Sequence, residues 1–194
     1  MVELRKNFGG LGNRMFQGAY LLAQQAKGEI PDIYLQDEKY FENIKDEIKQ
    51  LYGQGIQHSD YTSLHIRRGD YVNNPFYVDL TQTDYYDKAI AEFPNSKFLV
   101  FCADRQGDSD DIYDQKWVME WLEAKYGDRF DLYQGFTEID DLNAMAGCTQ
   151  GHIMANSSFS WWASYIGGGV TIAPRAWFTD GVSRIKLLDN WIIL

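Results

Sequence analysis

The run Lys97–Ala103 constrains the fold of this chain more than any other stretch. It is apolar almost without a break, which is the pattern of a strand buried on both faces, and such strands belong to parallel sheets covered by helices. Val170–Ala173 has the same character. Shorter strand patterns at Tyr61–Ile66, Phe130–Tyr133 and Gly151–Ala155 alternate with helical ones at Thr83–Phe93, Asp114–Tyr126, Glu138–Gly147 and Phe159–Ile166. Strands alternating with helices predict an α/β fold with a parallel sheet, whose ligands bind at the carboxyl ends of the strands. Ahead of this region, residues 1–12 read as a strand feeding the glycine loop Phe8-Gly9-Gly10-Leu11-Gly12-Asn13-Arg14. A helix from Met15 to about Lys27 and a second over Asp37–Tyr52 follow, and Gly53-Gln54-Gly55 makes residues 53–60 a candidate boundary between lobes.

Composition narrows the partners. The 194 residues carry a net charge of −10 and 45% apolar content, enough for one sizeable core or two small lobes around a cleft. An acidic chain lacks the basic face that nucleic acid or an anionic membrane requires. Two cysteines, Cys102 and Cys148, both in apolar surroundings, form no disulfide framework and read as buried thiols. The N-terminus has no apolar signal region, and nowhere do eighteen apolar residues run together. The expectation is a soluble, cytoplasmic protein.

Three stretches could carry chemistry. In Ser63-Leu64-His65-Ile66-Arg67-Arg68-Gly69-Asp70-Tyr71-Val72, paired arginines and a glycine stand at a strand exit. Guanidinium forks match phosphate oxygens, although a surface Arg–Asp turn has the same sequence. Gly9-Gly10-Leu11-Gly12-Asn13 could bring backbone amides to a phosphate or sugar, or be a plain turn; it matches neither the dinucleotide fingerprint nor the P-loop. Asn156-Ser157-Ser158 precedes a helix, where hydroxyls cap the helix, bind an anion, or do both. Trp161 and Trp162 just beyond are too costly to expose, so at least one belongs to the core.

Acidic residues supply further candidates. Asp104, Asp108, Asp110 and Asp111 follow the buried run, and Asp108-Ser109-Asp110 has the D-x-D form that holds a metal on a nucleotide diphosphate in some glycosyltransferases. A solvated acidic turn reads the same way. Asp104, closest to the strand end, is placed to reach ribose hydroxyls or a base edge. Asp140 and Asp141 open a helix; they serve as caps, or offer a carboxylate to the N–H groups of a guanine edge. Cys148 and His152 are four apart without a third ligand, which argues against zinc.

Three ordered motifs then resemble one family. Gly9–Gln17, His65–Val72 and Ala155–Trp162 are similar to the α-1,2-fucosyltransferases of glycosyltransferase family 11, with lesser matches at Tyr40-Phe41, Tyr85-Tyr86, Ile172-Ala173-Pro174 and Trp177-Phe178. The resemblance implies a GT-B-like α/β fold. It divides the chain into a reduced N-terminal, acceptor-side lobe over residues 1–58 and a Rossmann-like donor lobe with a parallel sheet over residues 59–194. It also implies inverting transfer of L-fucose from GDP-β-L-fucose to a glycan acceptor such as the O2 of a β-galactoside, with no metal required. Implied donor-site residues are Gly10, Gly12 and Asn13 on the glycine loop, His65, Arg67 clamping the β-phosphate, and Arg68 supporting that loop. Asp104 and Asp141 would meet the nucleoside, and Asn156, Ser157 and Ser158 the diphosphate. Arg67 and Asp70 are the catalytic candidates, Asp70 as the base. Arg14 and Gly18 depart from the family pattern, and the interval between Asn13 and His65 is short. An inactive or partner-dependent GDP-sugar-binding module and a metal-dependent D-x-D transferase are the alternatives, and a homo-oligomer is left open.

Overall fold

The computed structural model describes residues 9–24, 35–102 and 110–194, with side chains of the last stretch described from Asp114 onward. Six strands form one sheet: β1 (Thr62–His65), β2 (Phe98–Phe101), β3 (Phe130–Leu132), β4 (Gly151–Ile153), β5 (Thr171–Ala173) and β6 (Ile192–Ile193). Their order is β3-β2-β1-β4-β5-β6 and every pairing is parallel. That is the doubly wound order of the Rossmann fold, in which the chain reverses direction across the sheet between β1 and β4 and leaves a crevice there.

Register explains the two cores. Leu64 is paired with Val100 and Ile153, and Ile153 with Ile172, so one apolar row crosses four strands. This row packs with Tyr86, Ala89 and Ile90 of α3 (Tyr85–Ala91) and with Val118 and Leu122 of α4 (Asp110–Tyr126). Side chains one position along point to the opposite face. There Phe101 and Ala173 meet α5 (Glu138–Ala146), α6 (Ser158–Gly167) and α1 (Leu11–Ala23). That second face also holds a buried polar contact, Ser63 Oγ to His152 Nδ1 at 2.8 Å. Both faces of β2 are covered, which is why Lys97–Ala103 reads as a continuous apolar run.

The aromatic centre of the second core is α6. Trp161 and Trp162 are both fully buried, as the sequence requires of at least one. Each indole N–H finds a carbonyl, Trp161 on Lys186 and Trp162 on Gly12, both at 3.0 Å. Phe16 of α1 sits between them, with ring centroids 4.7 and 4.8 Å away, and Phe41 stacks on Trp162 at 5.4 Å. Such aromatic pairs add roughly 0.5–1.5 kcal/mol each beyond their burial. They anchor α1 and the segment around Phe41 to α6.

The structure departs from the sequence expectations at several elements. α1 begins at Leu11 rather than Met15, because Gly10 takes the extended N-cap conformation and Gly12 packs directly on α6. The single helix expected over Asp37–Tyr52 is two short 3-10 turns, Glu38–Tyr40 and Glu42–Ile44, followed by α2 (Lys45–Tyr52). Phe41 and Ile44 adopt φ of −140° and −133°, and this break turns Phe41 into the aromatic core. β6 carries no sequence signal of its own, because two residues are too short for a periodic pattern. The strand expected in residues 1–12 falls mostly outside the described residues. Cys102 and Cys148 are free and buried, as expected. No helix among the described residues is long and apolar enough to cross a membrane.

Candidate functional site

A cleft of about 530 Å³ opens at the carboxyl ends of β1 and β4, where the strand order reverses. Four chain segments converge on it. β1 leads through Ile66 into Arg67, then into a 3-10 turn over Gly69–Tyr71, with Gly69 at φ +58°. β4 leads into Asn156 and Ser157 and so into α6. The glycine turn ahead of α1 forms a further wall, and the first turn of α5 closes the side nearest β3.

The two arginines have different roles. Arg67 lines the cleft, donates from Nη2 to Asp70 Oδ1 at 2.6 Å, and lies 5.2 Å from the centre of the Tyr71 ring. Arg68 turns away from it. Its Nε donates to Asp114 Oδ1 at 2.7 Å, and its guanidinium stacks 3.9 Å from the Trp117 ring centre. The second Asp114 oxygen accepts the Gly69 N–H at 3.0 Å. Arg68 therefore holds the loop through α4, and it does not line the cleft.

The serines combine capping with exposure to the cleft. Ser157 is the N-cap of α6, its hydroxyl accepting the Phe159 N–H at 3.3 Å, and both Ser157 and Ser158 line the cleft. The first-turn amides of a helix lack intrahelical acceptors and carry the positive end of its dipole, so α6 presents an anion-binding end here. Asn156 is buried away from the cleft. Its side-chain amide donates to the carbonyls of Val78 and Trp177 at 2.9 and 3.1 Å, so it stitches the walls together instead of meeting ligand directly.

Of the glycine turn, Gly10, Gly12 and Asn13 all line the cleft. Asn13 Oδ1 accepts from Gln36 at 2.6 Å, and Arg14 reaches across to Glu138 at 2.8 Å, tying α1 to α5. On α5, Thr137 and Asp140 form a reciprocal capping box, whereas Asp141 and Glu138 line the cleft. The two adjacent aspartates thus divide between cap and cleft. Asp104 and Asp108 lie outside the described residues, and the side chain of Asp110 is not described. Among the described residues no group of three His, Cys, Asp or Glu side chains is placed to hold a metal ion.

His65 is buried beside the cleft, and its Nδ1 has no hydrogen-bond partner among the described residues. Burial, reinforced by the Arg67 charge, pushes its imidazole down to about 3, so it is neutral at ordinary pH. An unpaired buried nitrogen is costly unless a ligand satisfies it. At the opposite end of the sheet face, His152 bonds Ser63, and Cys148 donates to the Ala144 carbonyl, so neither is arranged as a zinc ligand.

Several cleft residues carry no distinct sequence signal: Phe101, Tyr133, Glu138 and Tyr77. Tyr71 lies inside the arginine motif and also lines the cleft. It stacks on Tyr77 with ring centroids 3.9 Å apart and 6° between planes, and its hydroxyl donates to the Asn156 carbonyl at 3.2 Å. Burial, with Tyr77 beside it, raises its phenol well above the ordinary value.

A Rossmann-order sheet with an arginine, a helix N-terminus and a glycine turn converging at its switch point has the donor chemistry that suits an anionic group. The model of glycosyl transferase family 11 matches residues 7–194, and the chain belongs to that family. Two Escherichia coli proteins are similar to it. The O-antigen biosynthesis glycosyltransferase WbnK is 31% identical over 155 aligned positions, covering 71% of this chain and 46% of its own length. An alpha-1,2-colitosyltransferase is 32% identical over 177, covering 78% of this chain and 57% of its own. The chain thus spans about half the length of these relatives. No solved structure matches it.

Proposed function

We propose that this chain is an inverting glycosyltransferase that binds GDP-β-L-fucose in the cleft and transfers L-fucose to a glycan hydroxyl, the O2 of a β-galactoside being the acceptor we favour. The observation that supports this reading best is the meeting of Arg67, the α6 N-terminus and the glycine turn at the β1–β4 switch point. Arg67 and the Ser157–Ser158 end of α6 would hold the diphosphate. Asp141 would accept N–H groups of the guanine edge, with Asp104 toward the ribose. His65 Nδ1 would accept a hydrogen bond from the donor. Gly10, Gly12 and Asn13 would cover the ligand from the N-terminal side, with residues 59–194 supplying the rest of the donor site.

In the reaction, the acceptor oxygen attacks the anomeric carbon as the bond to the β-phosphate oxygen breaks, and that electron pair leaves with GDP. The acceptor proton passes to Asp70 or to water. Charge grows on the diphosphate in the transition state, where the preorganised donors of Arg67 and α6 act most strongly. No metal is assigned a role in this scheme.

Arg67→Ala should leave the protein folded and lower turnover at least about 100-fold, the cost of removing one such donor. Full activity in that variant would refute the assignment. GDP-colitose belongs in the same assay, since one relative is named for that sugar. Turnover lost with EDTA would favour the D-x-D alternative over Asp108 and Asp110. A second reading is a GDP-sugar-binding module that needs a partner, favoured by the chain's spanning only about half of its relatives. Calorimetric binding of GDP and GDP-fucose without hydrolysis or transfer would select it.

A further inference from the structure

We propose that Phe76, continuous with the Tyr77 wall of the cleft and flanked by Arg184 and Asp180, is the platform on which the acceptor sugar stacks. This rests on the donor reading above and adds the acceptor's binding site to it. The cleft has two unlike ends. Near α5 stand the carboxylates Glu138 and Asp141, which suit the N–H groups of a base. Tyr71 and Tyr77 line the cleft beside Arg67, whose guanidinium lies over the Tyr71 ring, and Tyr77 bridges to Phe178, which follows β5 on the side of the sheet away from β3 and α5. A nucleotide sugar with its diphosphate on Arg67 and its base toward Asp141 directs its sugar to the tyrosines, and the acceptor must arrive there.

The aromatic surface continues outward from that wall. Tyr77 contacts Phe76 edge-on at 5.2 Å, and Phe76 lies 5.1 Å from Phe178. Phe76 is 40% exposed, yet it is held firmly. Its N–H donates to Asn74 Oδ1 at 3.0 Å, and its carbonyl accepts from the Thr179 N–H at 3.1 Å. Tyr77 and Phe178 form an antiparallel bridge behind it. A large apolar ring fixed at the surface beside a cleft is ordered in advance for a ligand.

The polar rim identifies the kind of ligand. The Arg184 guanidinium lies 5.1 Å from the Phe76 ring centre and 4.6 Å from that of Phe178, and it is oriented by hydrogen bonds to both Asp180 carboxylate oxygens. With this guanidinium over the Phe76 ring and the Asp180 carboxylate behind it, the part of the ring left exposed is an aromatic surface rimmed by polar groups, which matches a pyranose. The C–H groups of one sugar face pack on the ring, and the hydroxyls around the edge exchange hydrogen bonds with the charged groups. A galactoside presents such a face, because its axial O4 leaves the hydrogens of C3, C4 and C5 on one side.

The test uses lactose as probe and saturation-transfer NMR as the direct readout, beside acceptor KM, GDP affinity and donor hydrolysis. Wild type should transfer saturation to the galactose ring protons. Phe76→Ala should lose that signal and raise acceptor KM about ten-fold, the loss expected for one aromatic contact, with GDP affinity and donor hydrolysis unchanged. Phe76→Trp should restore both. No lactose signal in wild type, an unchanged signal and KM in Phe76→Ala, or a parallel loss of GDP affinity would each overturn the platform. Failure of wild type to bind GDP would refute the donor reading alone, because the lactose signal and its dependence on Phe76 still decide the platform.

Discussion

Replacing Gly12 by alanine tests the contact on which the cleft's closed side depends. Gly12 lies in the first turn of α1 against the start of α6. A Cβ there would stand 2.5 Å from the Ser158 carbonyl carbon, 2.6 Å from the Phe159 nitrogen and 2.7 Å from the Ser158 oxygen. All three are backbone atoms of a capped helix and cannot swing aside. Ordinary carbon contacts lie near 3.5–4.0 Å, so α1 and α6 must separate by about 1 Å. That movement also pulls the Gly12 carbonyl from the Trp162 indole, now at 3.0 Å, and loosens Phe16 between the two tryptophans. Overpacking costs about 1–3 kcal/mol and the weakened hydrogen bond about 1 more, offset by up to about 1 kcal/mol of better helix propensity. A net loss of about 1–3 kcal/mol follows, and a chain of this size loses about 2–4 °C in Tm for each. Gly10 is the control: a Cβ there meets nothing within 4 Å, so Gly10→Ala should stay within about 1 kcal/mol of wild type. Urea and thermal denaturation of both variants provide the measurement. A Gly12→Ala protein as stable as wild type would show that α1 does not pack on the α6 start at this distance.

Buried imidazoles predict acid sensitivity. Burial holds His152 down to about 4 against an unfolded value near 6.5, so its stabilising contribution is complete above pH 6.5 and is lost as pH falls toward 4, by about 3 kcal/mol. His152→Gln should lessen the fall of the denaturation midpoint between pH 7 and pH 4.5, the remainder coming from His65, which burial also holds down; an undiminished pH dependence would count against this origin. Burial pushes the thiols of Cys102 and Cys148 up to about 12 and about 11, so neither should react with a disulfide reagent at pH 7.5 until denaturant is added. Rapid native-state labelling of either would contradict their burial. Asp114→Ala strands a largely buried Arg68 and frees the Gly69 N–H, and should cost about 2–3 kcal/mol. Wild-type stability in that variant would mean the loop is held in another way.

The sequence alone determined most of the scaffold, because strand and helix patterns are local and periodic. Alternating elements from Tyr61 onward, the apolar run at Lys97–Ala103 and the buried tryptophans all follow from spacing and hydropathy. So does the placing of His65–Asp70 and Asn156–Ser158 at strand ends. It also brought Gly10, Gly12, Asn13, Arg67, Asp70, Asp141, Ser157 and Ser158 into the candidate set, and all of these line one cleft.

Tertiary structure decided how neighbours in sequence divide their work. Arg67 faces the cleft and Arg68 faces away because Asp114 and Trp117, on a helix more than forty residues later, claim the second guanidinium. Asp140 caps α5 while Asp141 lines the cleft, and Asn156 binds carbonyls of two distant segments although its motif suggests a ligand contact. The tyrosine wall, too, is assembled from a turn and a loop with no shared periodicity. Residue type limits the chemistry a side chain can perform. Its direction is set by long-range partners, which local sequence does not encode.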